Sequence, residues 1–193
     1  MNKQIEKIQY LVKAKFKNQE NRYRHTLGVM KLALKLAKIH GVNEEEVAIA
    51  ALLHDFCRHD SIDAMIKLIN DETIISEIGD ESYLLHGYAA ACFLKKELMI
   101  DNENIYQAIL NHTTGRLNMS KLEEIIFVSD FAEATRSFIE AEKVRELLFD
   151  DFHQALYLTY FYQIEHLEKK GKKISDLQKK LLNYYLKKKE MKA

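Results

Sequence analysis

Apolar residues recur at every third or fourth position along most of this chain, which is the spacing of one face of an α-helix. In the first segment, Ile5, Ile8 and Leu11 lie on such a stripe. The sequence contains no proline and six glycines, and no segment shows the alternation of apolar and polar residues that is typical of a half-buried strand. The pattern therefore predicts an all-α helical bundle.

Short polar motifs indicate where several of the predicted helices begin and end. Asn43 and Ser120 are each followed three positions later by a glutamate, which is the spacing of a capping box. Ser175 opens a similar motif before the last predicted helix. Gly41 follows a long amphipathic segment, where glycine can close a helix in the left-handed conformation. These signals predict helix limits that do not depend on the apolar pattern alone.

The remaining limits follow from the apolar pattern and from single capping residues. Asp60 is the expected cap of the fourth helix, Asp101 or Asn102 caps the sixth, and Gly79-Asp80 is the expected break between the fourth and the fifth. The last third of the chain is also expected to be helical. The predicted helices before it cover about residues 3–16, 20–39, 44–55, 60–69, 83–99, 105–112 and 121–130.

Length and composition are typical of one ordinary globular domain over residues 1–193, with 47% apolar and 30% charged residues. The net charge is zero, so there is no electrostatic argument for nucleic acid or an anionic membrane as a partner. No apolar run reaches the roughly 20 residues of a membrane span, and the start does not resemble a signal peptide. We expect a cytoplasmic protein in which Cys57 and Cys92 are free thiols. The oligomeric state stays open.

The pair His54-Asp55 stands at the end of an apolar, helix-length run, where the chain would otherwise carry more core residues. Burial of an imidazole beside a carboxylate is costly unless something pairs or coordinates them. For an isolated pair, a hydrogen-bonded helix end is the commoner explanation. Other imidazoles and a carboxylate, however, lie near the ends or on apolar faces of other predicted helices. These residues are His25, His86, His112 and Asp130.

Four imidazoles and two carboxylates from separate helices are enough to hold two metal ions and leave positions for water. Asp55 is the natural bridging ligand, because its neighbour His54 already holds one ion and its two oxygens can face different metals. Mixed imidazole and carboxylate donors suit iron, manganese, zinc, cobalt or nickel. The sequence therefore predicts a two-metal centre. The other four histidines are not expected to be ligands, and they are His40, His59, His153 and His166.

The order of these six residues resembles the HD superfamily of metal-dependent phosphohydrolases. The segments 112–119 (HTTGRLNM) and 124–136 (EIIFVSDFAEATR) are similar to the YqeK-type branch, which contains symmetrical bis(5′-nucleosyl)-tetraphosphatases. The resemblance covers about residues 23–148, with the C-terminal helices expected to pack on this core. It implies an HD-domain helical bundle with two irons that splits diadenosine tetraphosphate into two ADP.

The resemblance also implies how the ligands are shared. One ion is held by His25, His54, Asp55 and Asp130, and the other by Asp55, His86 and His112. Three positions depart from the family pattern, which usually has lysine at Arg58 and proline at Tyr88 and Ala134. Arg58 keeps the positive charge but replaces a compact ammonium with a planar fork.

Phosphoryl transfer also needs positive charge on the phosphate oxygens and on the leaving group. Arg116 and Arg136 follow the candidate ligands closely, and the loop after His112 could hydrogen-bond phosphate. The alternatives are a salt bridge of Arg136 with Glu133 or Glu140, and a loop that satisfies only its own backbone. The candidate catalytic residues are Asp55, Arg116 and Arg136. The candidate substrate-binding residues are Arg58, Thr113, Thr114, Gly115, Arg116, Glu133 and Arg136.

Two other functions remain open from the sequence. The chain could be an HD phosphohydrolase that acts on another nucleotide or nucleoside polyphosphate. It could also be a helical module that binds a metal or a nucleotide as a sensor, without catalysis. The products formed from diadenosine tetraphosphate would distinguish these functions from the symmetrical cut.

Overall fold

A computed structural model describes residues 3–78, 82–172 and 174–190. Within these ranges the regular structure consists of eleven α-helices, without a β-strand, which confirms the predicted all-α fold. The helices are α1 (Lys3–Lys15), α2 (Glu20–His40), α3 (Glu44–Leu53), α4 (Ile62–Ile69), α5 (Glu72–Ile78), α6 (Ser82–Lys96), α7 (Glu103–Leu110), α8 (Lys121–Ala132), α9 (Ile139–Leu147), α10 (Phe152–Lys169) and α11 (Asp176–Glu190).

Helix α3 lies at the centre of the bundle. Every residue from Val47 to Leu53 is buried, so the helix is apolar on all sides after its first turn. A helix of this kind must be surrounded by others, and α3 contacts α1, α2, α6, α7 and α8. The last residues of α3 lead directly into His54-Asp55, which places this polar pair inside the bundle.

Several predicted helix limits are confirmed by hydrogen bonds at the caps. The Asn43 side chain accepts hydrogen bonds from the amides of Glu45 and Glu46 at the start of α3. Ser120 and Glu123 form a complete capping box at the start of α8. Gly41 closes α2 with a φ of +65°, in the left-handed conformation that glycine adopts without strain. These caps could be predicted because each uses only local chemistry.

The prediction for the start of α4 was wrong. Ser61, not Asp60, caps this helix, and its hydroxyl accepts a hydrogen bond from the Ala64 amide at 3.2 Å. The Asp60 carboxylate instead binds Lys15 Nζ at 2.5 Å. A serine and an aspartate are equally suitable caps, so the long-range ion pair with α1 decides between them.

The region between α4 and α6 also differs from the prediction. Helix α5 was not predicted, although Asp71 Oδ1 accepts hydrogen bonds from the amides of Thr73 and Ile74 at its start. The predicted break at Gly79-Asp80 lies outside the described residues. Helix α6 ends at Lys96, three residues early, since Met99 has a positive φ of 54°.

Helices α9 to α11 pack on the helices that carry the candidate ligands. Helix α10 contacts α8 and α9, and α11 contacts α10. One cluster of buried apolar side chains extends from Ile5 in α1 to Tyr185 in α11. We propose on this basis that the described helices form one domain. None of them is both long and apolar enough to cross a membrane.

Candidate metal centre

The six predicted ligands meet at the inner end of α3. His25 comes from α2, His86 from α6 and Asp130 from α8, while the others follow the last turns of α3 and α7. Their ligand atoms form two groups, and within each group these atoms lie no more than 4.8 Å apart. The first group is His25, His54, Asp55 and Asp130. The second group is Asp55, His86 and His112.

Asp55 belongs to both groups and presents a different oxygen to each. Its Oδ2 lies 3.7 Å from His25 Nε2 and 3.5 Å from His54 Nε2. Its Oδ1 lies 3.2 Å from His86 Nε2 and 3.6 Å from His112 Nε2. Asp55 could therefore contact two ions at once, which is the role expected from its position beside His54.

All four imidazoles are held by the nitrogen that faces away from this centre. The Nδ1 atoms of His54, His86 and His112 lie 2.6–2.7 Å from the carbonyl oxygens three residues earlier. His25 Nδ1 lies 3.0 Å from Glu133 Oε1. A carbonyl or a carboxylate can only accept, so each Nδ1 carries a proton, and Nε2 is the ring nitrogen that remains to bind a metal. Metal-binding histidines are commonly oriented in this way.

Several polar atoms of the centre have no hydrogen-bond partner within the described part of the chain, and bound cations would supply one. His25 Nε2, His54 Nε2 and Asp55 Oδ1 are buried and make no hydrogen bond. The Nε2 atoms of His86 and His112 lie 3.0 Å apart, so two lone pairs point into the same space. Buried polar atoms without partners are costly. A cation between these atoms would remove that cost.

The carboxylates of the centre are ionised. Burial by itself raises the pKa of Asp55, but its contacts with His54, His112 and His86 outweigh burial and hold the pKa well below the ordinary value. For Asp130, contacts with His25 and His54 likewise outweigh burial and lower the pKa. The site therefore offers two negative charges beside four imidazoles, and carboxylate oxygen and imidazole nitrogen are donors that divalent metals accept.

Glu133 lies behind His25 and is fully buried. Besides His25 Nδ1, its carboxylate accepts hydrogen bonds from the backbone amide and the hydroxyl of Thr135. The carboxylate reaches His25 only because position 28, one turn later on α2, is a glycine. A Cβ on Gly28 would overlap Glu133 Oε2 and would lie 2.9 Å from Cδ. Glu133, a candidate substrate contact in the sequence, thus orients the candidate ligand His25, whereas Gly28 was not among the predicted site residues.

Two arginines lie against the ligand atoms. Arg22 Nη1 is 2.5 Å from Asp55 Oδ2, and Arg58 Nη1 is 3.1 Å from His86 Nε2 and 4.0 Å from Asp55 Oδ1. Arg58 was a candidate substrate contact, and its half-exposed side chain lies at the entrance of the centre. Arg22 was not predicted, although it lies on the same helical face as His25, one turn earlier.

The other two candidate arginines differ from each other. Arg136 Nη2 binds Asp130 Oδ1 at 3.0 Å, so its carboxylate partner is a candidate ligand and not Glu133 or Glu140. Arg116 makes a bidentate ion pair with the buried Glu123, at 2.7 and 2.8 Å. This geometry favours a catalytic position for Arg136 and a structural role for Arg116.

The loop after His112 contacts the candidate metal centre on one side and helix α10 on the other. Thr113 Oγ1 lies 3.2 Å from His112 Nε2, beside the second ligand group. The Thr114 carbonyl accepts a hydrogen bond from Tyr160 Oη at 3.3 Å. Gly115 has a φ of +62°, and a Cβ there would overlap Tyr160 Oη. Of the predicted loop residues, Thr113 is the one that reaches the centre directly.

Comparison with known proteins agrees with this fold, and the matched segment includes the six candidate ligands. The sequence profile described as HD domain matches residues 22–135 of the chain. A crystal structure of a Clostridium acetobutylicum protein, described as a predicted HD superfamily hydrolase involved in NAD metabolism, superposes with a TM-score of 0.84 at 35% identity. The superposition covers 95% of this chain and 97% of the other. The chain belongs to the HD domain family.

Curated relatives narrow the comparison further. A protein of Halalkalibacterium halodurans is 39% identical over 80% of this chain and 83% of its own length. A protein of Bacillus subtilis is 33% identical over 80% of this chain and 84% of its own length. Both are named symmetrical bis(5′-nucleosyl)-tetraphosphatase. The similarity confirms the resemblance to the HD superfamily and to the branch that contains these proteins.

Proposed function

We propose that this protein hydrolyses diadenosine tetraphosphate symmetrically to two molecules of ADP, with two divalent metal ions in the centre described above. The names of the relatives support the substrate and the cut. The observation that carries the proposal is the geometry of Asp55, whose two oxygens face two separate groups of histidines. A carboxylate shared in this way is typical of two-metal hydrolases of phosphate esters and anhydrides.

The ions at these positions would make water a nucleophile near neutral pH and would neutralise charge on the phosphate under attack. The six candidate ligands would hold the ions, and Glu133 fixes the orientation of the His25 ring through Nδ1. Arg58 and Arg136 lie at the entrance with more than a third of each side chain exposed. Their guanidinium groups are placed to bind the non-bridging oxygens of a polyphosphate.

We infer that iron is the native metal. The support comes from the resemblance to the YqeK-type branch and from the donor set, in which imidazoles outnumber carboxylates two to one. Such donors suit iron, and they also accept manganese, cobalt, nickel or zinc. Elemental analysis of protein purified without oxygen tests this directly. About two equivalents of iron per chain are expected.

Product chromatography tests the reaction. Incubation of the metal-loaded protein with diadenosine tetraphosphate is expected to give ADP as the sole product. AMP together with ATP would show an asymmetrical cut, and free phosphate would indicate a phosphohydrolase of another preference. Full metal content without any product would contradict the proposal and support the sensing module. Protein stripped of metal by a chelator is the control, and its activity is expected to return when the metal is restored.

A further inference from the structure

A cavity of about 580 Å³ opens beside the metal centre, between the end of α8, the start of α9 and one side of α10. Asp130, Arg58 and Arg136 line it, so it is continuous with the entrance of the centre. Pockets for small molecules commonly occupy roughly 300–1,000 Å³. The cavity is therefore large enough for part of a nucleotide whose phosphates reach the candidate ligands.

The lining of this cavity also contains three aromatic rings. The planes of Phe131 and Tyr162 are within 8° of parallel, with centroids 6.4 Å apart. The ring of Phe138 meets Phe131 edge to face, with centroids 5.3 Å apart. Phe138 is 40% exposed, so much of its ring is not covered by the rest of the described chain. A nucleotide site needs arginines that bind the phosphates and an exposed aromatic ring on which the base can stack, and this cavity contains both.

The position of Phe138 in its helix is unusual. It occupies the N-cap of α9, and no side chain there binds the free amides of the first turn. Phenylalanine is a poor residue for this position, whereas serine, aspartate and asparagine are strongly preferred. Five other helices of the described ranges follow that preference, with caps at Asn43, Ser61, Asn102, Ser120 and Asp151, whereas Gln19 at the start of α2 also makes no capping hydrogen bond. The capping preference does not explain Phe138, and although its ring packs on Phe131, 40% of the residue is exposed where it lines the cavity. A departure from the capping preference of this kind is typical of a functional position.

We propose that this cavity binds the base of one ADP half of the substrate, with Phe138 stacked on the base and the phosphates beside Arg136 and Arg58. The inference rests on the proposed function and names one nucleoside site for it. Stacking on a phenylalanine face is tolerant of base identity, because every base has a π-face. Phe138 therefore contributes affinity for a nucleoside, and any preference for one base must come from other groups.

The test replaces Phe138 with serine, which removes the ring and supplies a good N-cap. We expect Phe138→Ser to weaken ADP binding by roughly tenfold in a protein that still folds, because the new N-cap offsets part of the packing lost against Phe131. Binding is measured by calorimetry on the metal-loaded full chain, with ADP and with pyrophosphate, which has no base. The KM for diadenosine tetraphosphate is expected to rise by a similar factor, and Phe138→Tyr is expected to restore both values.

Phe149→Ser is the matched control, because Phe149 is also an exposed phenylalanine but does not line the cavity. It is expected to leave ADP binding unchanged. Unchanged ADP binding in Phe138→Ser would overturn the inference, and so would an equal loss of ADP and pyrophosphate affinity. If the wild-type protein forms no ADP from diadenosine tetraphosphate, the proposed function fails instead. The contrast between ADP and pyrophosphate would then still decide whether Phe138 binds a base.

Discussion

Replacement of Gly28 by alanine tests the link between helix packing and the metal centre. On helix propensity alone, Gly28→Ala in the middle of α2 should stabilise the protein by about 1 kcal/mol. The structure predicts the opposite sign. The new Cβ would lie 2.9 Å from Glu133 Cδ, so the carboxylate must retreat by roughly 1 Å to reach an ordinary contact distance.

The size of the effect follows from the bonds of Glu133. Its contact with His25 Nδ1 is 3.0 Å, and a retreat of roughly 1 Å takes it beyond hydrogen-bonding distance. A hydrogen bond to a charged group contributes about 1.5–3 kcal/mol. After the gain in helix propensity, we expect a net loss of about 1 kcal/mol in the free energy of unfolding. Because His25 loses the group that orients it, metal affinity should fall by about 10–100-fold.

Urea denaturation of metal-free protein measures the first quantity, and calorimetric titration with metal measures the second. Gly41→Ala is the matched control. Gly41 has a φ of +65° and open space around its Cβ position, so alanine there should cost about 1 kcal/mol through backbone strain and leave metal affinity unchanged. A Gly28→Ala protein that is more stable than wild type and binds metal equally well would refute the role given to Glu133.

Three further substitutions test separate parts of the site. Asp55→Ala removes the carboxylate common to both ligand groups, so elemental analysis should find both ions lost together with activity. Arg116→Ala removes the cation beside the buried Glu123 carboxylate, which keeps its hydrogen bonds from Ser120 and Asn111; the protein should keep the metal and lose about 1–2 kcal/mol of stability in urea denaturation. Gly115→Ala combines a positive φ with overlap at Tyr160 and should cost about 2 kcal/mol in the same assay.

For each of these three substitutions, one result would contradict the role given to the residue. Asp60→Asn is the control for Asp55→Ala, since Asp60 pairs with Lys15 outside the centre. An Asp55→Ala protein with full metal content would disprove the bridging role. A loss of turnover in Arg116→Ala at wild-type stability would support the substrate contact predicted from the sequence. A Gly115→Ala protein that is not rescued in part by removal of the Tyr160 hydroxyl would show that the close approach is not the cause.

Much of the fold could be predicted because its signals are local. The 3.6-residue periodicity and the caps at Asn43 and Ser120 depend only on neighbours in the chain. The predicted helix limits are wrong where a contact with a distant residue determines which residue caps the helix. Asp60 could not be separated from Ser61 as a cap without knowledge of Lys15, which lies 45 positions earlier. Helix α5 has only seven residues, too few to show a clear period.

The residues of the candidate site also fall into two groups, those that the local sequence reveals and those that depend on distant residues. His54 and Asp55 stand out because a polar pair interrupts an apolar run. Gly28 carries no such signal, because its importance comes from Glu133, more than a hundred residues later. The partner of the Arg116 side chain also depends on tertiary structure, since this side chain binds the buried Glu123, which belongs to the next helix. Proximity in sequence to a ligand predicts the neighbourhood of a side chain but not the group that it binds.

The tyrosines of the last two helices have a consequence for how short this protein can be. The rings of Tyr160 and Tyr185 stack with centroids 4.7 Å apart. Their hydroxyls donate to the carbonyls of Thr114 and Arg116, in the loop that follows His112. A chain cut after residue 148 would keep all six candidate ligands and the whole matched segment, yet it would lose both of these supports. We therefore expect the shortest active chain to be longer than the segment that carries the family signature, because the last two helices hold the loop beside the candidate ligand His112.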